Sequence, residues 1–316
     1  MLGGSAMHFA LAARFFDQVR VVGPVGDDFG SSELELLRQR GIETADIEHI
    51  PGGQTFFWSG EYGADLNCAR TLDTQLGVFA EFKPKLSPES RGCDVLFLAN
   101  IQPELQLEVR EQCQRARFVA LDSMNLWIET APEALREVIT KVDCVILNDA
   151  ELRQLTGEPD LRTAAQVLLE LGPQVIVAKQ GEAGASLFTA EQQLSVPAFP
   201  LEVVVDPTGA GDSFAGGFVG YIAAHAGRRE SGSGPARAQL SVELFSAAMA
   251  YGTAVASFNV EEFGTERVAR LSAAEIESRV GALIGLTDAA AAAPGAAVAD
   301  AAVAVLEAPS TANPHT

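Results

Sequence analysis

Basic charge is the scarcest resource in this chain of 316 residues: 22 lysines and arginines stand against 42 aspartates and glutamates, a net charge of −20. Such a field repels polyanions and leaves no basic stripe to follow a phosphate backbone, so nucleic acid is excluded as a partner. A small phosphorylated ligand is not excluded, because backbone N–H groups at a helix N-terminus attract anions locally. Cysteine is also sparse. Cys68, Cys93, Cys113 and Cys144 are scattered with no C-x-x-C pair, which rules out a disulfide scaffold and a thiolate zinc site and suits a reducing cytoplasm. The four histidines, His8, His49, His225 and His315, show no metal-ligand spacing. No G-x-x-x-x-G-K-[ST] string occurs, and no strand is followed by G-x-G-x-x-G, which argues against P-loop NTPases and dinucleotide-binding dehydrogenases. Met1-Leu2 runs directly into Gly3-Gly4-Ser5 without a basic region and apolar run, so no secretory leader is expected. The Ala-rich stretch from Ala289 to Ala308 is broken by Pro294 and Asp300 and carries little bulky apolar content, so no membrane span is expected there.

What is present is a rhythm. From residue 93 to 222 short apolar runs alternate with helical patterns, as a parallel sheet with crossover helices requires. Val95 to Ala99, Phe118 to Leu121, Cys144 to Leu147 and Val175 to Ala178 predict buried strands. Glu104 to Arg115, Pro132 to Lys141 and Arg162 to Leu171 predict helices, the last stopped by Gly172-Pro173. A helix over Ser5 to Phe16 and a strand over Val19 to Val22 precede them. The segment Gln54 to Gln75 breaks the rhythm with Thr, Phe, Trp and Tyr at alternating positions, which predicts antiparallel strands on a separate small sheet, a lid over about residues 54–76. Gly227 to Ala238 predicts a loop, and residues 287–316 an Ala-rich disordered tail behind a domain of residues 1–286.

One stretch carries chemistry. Val203-Val204-Val205 predicts a short strand, followed by Asp206-Pro207-Thr208-Gly209-Ala210-Gly211-Asp212-Ser213-Phe214 and then by a helix whose Phe214, Phe218, Tyr221 and Ile222 share one face. In a strand, glycine turn and helix the amides of Gly209, Ala210 and Gly211 point out of the helix N-terminus, and the bare glycines let an anion approach. Asp212, in the first turn, could accept a proton from a hydroxyl attacking that anion. An anion cradle with one proton acceptor is a sufficient kit for phosphoryl transfer, which needs positioning and charge neutralisation more than covalent help.

D-P-T-G-A-G-D-S-F resembles the C-terminal signature of the ribokinase-like, or phosphofructokinase B, family of carbohydrate kinases. The resemblance implies an α/β fold: a three-layer αβα sandwich with a mostly parallel central sheet and a small β lid. It implies Asp212 as catalytic base, with Gly209, Ala210 and Gly211 stabilising charge on the transferred phosphoryl group, Thr208 beside the nucleotide, and Asp206 as a holder of a monovalent cation, often K⁺. Asn148-Asp149-Ala150-Glu151 matches the family's N-x-x-E motif, which positions Mg²⁺ and phosphate largely through water; Asn148 with Glu151 is equally a helix-capping pair. Lys179-Gln180-Gly181-Glu182-Ala183-Gly184 resembles the nucleotide-edge turn, with Gly181 and Gly184 against ATP and Lys179 reaching a phosphate, although a plain hairpin explains the stretch nearly as well.

Gly3-Gly4-Ser5-Ala6 and Gly23 to Gly30 look like the family's two N-terminal elements, the first of which implies contact with substrate hydroxyls at Gly3 and Gly4 and the hinge of the lid, and Asp122, Asn125 and Trp127 join Phe56, Phe57, Trp58 and Tyr62 as candidate lining of a sugar or nucleoside site. Phe258 and Asn259 fall where relatives hold adenine. The implied function is an ATP- and Mg²⁺-dependent kinase of a sugar or nucleoside, cytoplasmic, with a homodimer allowed; the alternative is a non-catalytic binding protein on the same fold. The family pattern has one more strand ahead of the Gly3-Gly4 element, so Met1 is expected to be an internal start.

Overall fold

The most apolar runs of the sequence become the middle of a sheet. The computed structural model describes residues 2–63, 66, 69–226 and 240–292. In chain order they form α1 (Ser5–Ala13), β1 (Arg20–Val25), α2 (Ser31–Gln39), β2 (Glu43–His49), β3 (Phe57–Tyr62), β4 (Ala69–Gln75), α3 (Pro88–Arg91) and β5 (Val95–Leu98). There follow α4 (Pro103–Gln112), β6 (Phe118–Asp122), α5 (Asn125–Thr130), α6 (Pro132–Ile139), β7 (Cys144–Asn148), α7 (Asp149–Thr156), α8 (Leu161–Leu169) and β8 (Val175–Lys179). The chain continues through β9 (Ala185–Phe188), β10 (Gln193–Val196), α9 (Ala210–His225), α10 (Val242–Asn259), α11 (Glu266–Ala269) and α12 (Ala273–Ala292).

Six strands form one sheet in the order β10-β9-β8-β7-β6-β5, with β5 to β8 mutually parallel and β9 and β10 antiparallel at one end. Its side chains alternate between two apolar layers, as the two-residue period of a strand demands. Val119 and Leu121 of β6 pack with Leu135, Val138 and Leu152 from α6 and α7, while Phe118 and Ala120 pack with Phe214, Phe218 and Met249 from α9 and α10. Burial on both faces is why these strands read as continuous hydrophobic runs. Helices thus cover both faces, giving the αβα layering expected of the sequence.

The β3–β4 ribbon is a separate antiparallel pair, as the alternation over Gln54 to Gln75 predicted. A third pair stands apart as well: β1 and β2 are parallel to each other, and among the described residues neither joins the six-stranded sheet. Two expectations are corrected. Val203-Val204-Val205 is an exposed, irregular segment and not a strand; it lies between Pro200 and Pro207, and its one ladder-like bond runs from Val205 N to Val260 O at 2.8 Å. The last helix continues past Leu286 to Ala292; the remainder of the tail and the Gly227 to Ala238 stretch lie outside the described residues.

Candidate active site

The carboxyl ends of β6, β7 and β8 place Asp122, Asn148 and Lys179 along one edge of the sheet, the edge at which open parallel sheets bind ligands. The amino end of α9 arrives at the same edge. Gly209 is its cap, with a left-handed φ of 76°, and Asp212 lies in its first turn. These residues line one large cavity, about 1620 Å³, together with Gly3, Gly4, Asn125, Glu151, Asp206, Thr208, Gly211 and the ribbon residues Phe56, Phe57, Trp58 and Tyr62.

The glycines of the turn serve neighbours that the sequence did not reveal. A Cβ on Gly209 would stand 2.3 Å from the His8 ring, and one on Gly211 would stand 2.8 Å from Lys179 Nζ. Gly211 therefore makes room for an ammonium group, which sits over the first turn of α9 where a bound anion would be neutralised. Asp206 accepts from Thr208 N at 3.0 Å and Gly264 N at 3.2 Å, which folds the turn back on itself. Asn259 completes the frame: its Oδ1 accepts from His8 Nδ1 at 2.8 Å and Ser213 Oγ at 2.9 Å, and its Nδ2 donates to Thr208 O at 2.8 Å.

Electrostatics concentrate on Lys179. Its Nζ lies 3.3 and 3.4 Å from the two oxygens of Asp122. Burial works against the ammonium charge, but Asp122, Glu151 and Asp212 together outweigh burial and raise its pKa above the ordinary lysine value. Burial pushes Asp122 up to about 6 against the pull of Lys179, and pushes Glu151 up to about 7. Glu151 also closes a capping box: Asn148 Oδ1 accepts from Glu151 N at 2.7 Å, and Asn148 N donates to Glu151 Oε2 at 2.8 Å. The capping role fixes both side chains at the cavity wall and leaves Glu151 Oε1 outside that box. Among the described residues no three His, Cys, Asp or Glu side chains are grouped to hold a metal on their own.

Asp212 is half-buried, and the Ser5 hydroxyl donates to its Oδ1. Ser5 Oγ accepts in turn from Asn100 N at 3.4 Å. From the other side the ribbon reaches in: Thr208 Oγ1 lies 3.4 Å from the Tyr62 hydroxyl, whose pKa is raised by burial and by the nearby Asp206 and Asp212 charges.

Several sequence-derived candidates fall elsewhere. Phe258 is buried, and its ring is taken up by cation–π stacking with Arg279 at 3.3 Å and Arg267 at 4.7 Å. Asn259 is fully buried and acts as a brace for the turn. Gly181 and Gly184 belong to the β8–β9 hairpin and do not line the cavity; a Cβ on Gly184 would meet Val196 O at 2.1 Å, which gives that glycine a structural reason. Ser5, His8 and Asn100 were missed as site residues, since their partners lie far along the chain and no local spacing announces them.

The Asp212 carboxylate and the buried Lys179 ammonium stand at the carboxyl edge of a parallel sheet beside a glycine-capped helix start whose Ala210 amide donates to Pro207 O at 3.1 Å, an arrangement suited to phosphoryl transfer. Comparison with known proteins makes this specific. Residues 2–270 match the model of the pfkB family carbohydrate kinases, and the chain belongs to that family. It is 30% identical over 229 residues to a cytidine kinase of Thermococcus kodakarensis, covering 70% of this chain and 80% of that protein. It is 44% identical over 230 residues to an aminoimidazole riboside kinase of Salmonella typhimurium, covering 69% and 72%. In fold it is similar to the ribokinase of Giardia lamblia, with a TM-score of 0.72, 20% identity and 89% of each chain covered. The chain is a carbohydrate or nucleoside kinase.

Proposed function

We propose that this kinase transfers the γ-phosphoryl group of ATP to a hydroxyl of a sugar or nucleoside, with Asp212 as general base. The observation that carries the reading is the seat of Asp212: one carboxylate oxygen is held by Ser5, and the residue lies in the first turn of α9, next to its Gly209 cap and Gly211, on the wall of the cavity that Lys179 also lines. The acceptor hydroxyl gives its proton to Asp212 as its oxygen bonds to the γ-phosphorus, and the bond to the bridging oxygen of ADP breaks. The turn amides and the Lys179 ammonium take up the charge on the phosphoryl oxygens. Thr208 stands beside that cradle on the nucleotide side.

The donor set fits a nucleotide carrying Mg²⁺. Asp122, Glu151 and Asp212 surround a single ammonium, so phosphate oxygens can enter only with added positive charge. When bound, Mg²⁺ supplies that charge, and Asn148 and Glu151 would hold it through water. Gly3, Gly4 and Asn125, with the ribbon aromatics, form the acceptor side. Asp122 meets that side through Lys179, its partner in the ion pair. Asp206 is a turn anchor first; a K⁺ ion would share its oxygens with the Thr208 and Gly264 amides, and rates measured with and without K⁺ decide that point. A homodimer is proposed on the exposed apolar side chains Phe57 and Leu72 of the ribbon and is read by light scattering.

Incubation with ATP, Mg²⁺ and a panel of sugars and nucleosides should release ADP with at least one acceptor. Asp212→Asn should lower turnover by about 10² to 10⁴-fold, the usual range for a lost general base, while ATP affinity by calorimetry changes little. Full activity in Asp212→Asn would remove this carboxylate from the reaction.

A further inference from the structure

Two thiols meet at the end of the molecule that the proposed reaction does not use. Cys93 stands just ahead of β5, partly exposed on the cavity wall, while Asn100, beyond the other end of that strand, reaches Ser5 in the active site. Cys113 follows α4 as its carboxyl cap and is fully buried. One carbonyl gathers both residues: Ser90 O, in α3, accepts from Cys93 N at 3.3 Å and from Cys113 Sγ at 3.7 Å. The two thiols also share a hydrogen bond. The backbone on either side is anchored. Arg117 N donates to Asp94 O at 2.7 Å, the ladder of β5 and β6 begins at Val95 and Phe118, and Arg110 Nη1 donates to Cys113 O at 3.1 Å. When the pair loses one proton, the bond from Cys93, aided by Arg110 and Arg91, holds Cys113 below the ordinary thiol value against burial. The same bond, with burial, raises Cys93. Of the other cysteines, Cys144 is fully buried in β7 and Cys68 lies outside the described residues.

We propose that Cys93 and Cys113 are a reversible redox pair, which closes to a disulfide on reaction with a low-molecular-weight disulfide such as oxidised glutathione. Cys93 is the sulfur that the cavity exposes. It passes its proton along the shared bond to Cys113, attacks one sulfur of the reagent and displaces the other half, which leaves as a thiolate and takes up that proton. The Cys113 thiolate then attacks Cys93 Sγ, and the second half of the reagent leaves as a thiolate that is protonated by water. Two electrons pass from the pair to the reagent, so two protein thiols become one S–S bond and two small thiols are released. Sulfurs already in hydrogen-bond contact have only to close to about 2 Å, and Cys113 gives up its bond to Ser90 O to do so. The crosslink draws residues 93 to 113 into one ring that holds β5 and α4. Among the described residues β5 has a ladder partner on one side alone, so the bond fastens the strand of the six-stranded sheet that its neighbours hold least. In a reducing compartment the ring stays open, and a rise in oxidised thiol closes it.

The test reads sulfur chemistry and stability, not phosphoryl transfer, so its result stands apart from whether the proposed reaction occurs. The full chain is reduced, incubated with oxidised glutathione, and mapped by mass spectrometry of peptides kept unreduced. A peptide pair linking Cys93 to Cys113 should appear, two of the four thiols should be lost, and dithiothreitol should restore both. Closure should raise Tm by about 5 °C or more, the scale of a crosslink over a loop of this length. Cys113→Ser should stop at a glutathione adduct on Cys93, and Cys93→Ser should leave Cys113 unmodified behind its burial. The linked peptide in the unaltered chain decides the matter even where a variant folds poorly. The proposal is overturned if all four thiols of the unaltered chain persist under oxidised glutathione. It is equally overturned if Cys93 keeps its adduct without closing, or if the bond that forms runs to Cys68 or Cys144.

Discussion

Strand β5, Val-Leu-Phe-Leu, is more hydrophobic than β6, Phe-Val-Ala-Leu-Asp, yet β6 is buried throughout and only Leu98 of β5 is. The strands are parallel neighbours of similar length. The difference comes from what stands on their far sides: β6 lies between β5 and β7, while β5 ends the six-stranded sheet and lines the large cavity. Burial is a property of neighbours, and composition sets only how much a strand loses without them. The same contrast divides the site. Asp122, Asn148 and Lys179 come from well-packed strands, and Gly3, Gly4 and Ser5 from the start of α1 on the cavity wall.

The sharpest way to test this contrast is to truncate one leucine on each side of it. Leu121→Ala, at a fully buried position of β6, should cost about 2–5 kcal/mol in urea melts. Leu96→Ala in β5 should cost less than half of that; equal losses would mean that β5 is as enclosed as its neighbour. A smaller effect is expected where α1 meets α9. Gly209→Ala combines a left-handed φ with a rigid ring at 2.3 Å and should cost about 1–3 kcal/mol in thermal melts. Adding His8→Ala should recover part of that loss, and a purely additive double mutant would break the link between the two segments.

A pH slope is expected from the packed half. Burial raises Glu151 from its ordinary 4.5 to about 7, so the folded chain holds that proton more tightly than the unfolded one. Its contribution is complete below pH 4.5 and is lost as pH rises through about 7. Asp122, raised from 3.8 to about 6, acts with the same sign in a lower window. Denaturation of the ligand-free chain at several pH values should show stability falling across this range. Glu151→Gln should flatten the upper part of the slope, and an unchanged slope would show that Glu151 does not titrate there.

The sequence made the packed half legible and the other half much less so. Strands β6, β7 and β8 were visible because residues buried on both faces leave runs with no polar interruption, and the ribbon because Phe57 to Tyr62 alternates. Asp212 was visible because glycines, a carboxylate and a helical face follow one another without a gap. The valines at 203–205 misled, since β-branching reports a preference for extended backbone and not the presence of a partner to pair with. The packing of Phe258 was not legible, because nothing in spacing says that Arg267 and Arg279 will stack on its ring. The glycines at 209 and 211 stand out in the sequence, but the neighbours that leave no room for a Cβ there, His8 and Lys179, come from other elements.

Asn259 touches His8, Thr208 and Ser213 with a single carboxamide. Residues near both ends of the chain must therefore be in place before the turn ahead of Asp212 is held in shape. A growing polypeptide that has not yet emerged past α10 lacks the clasp that holds this turn, so the turn is fixed only late in synthesis.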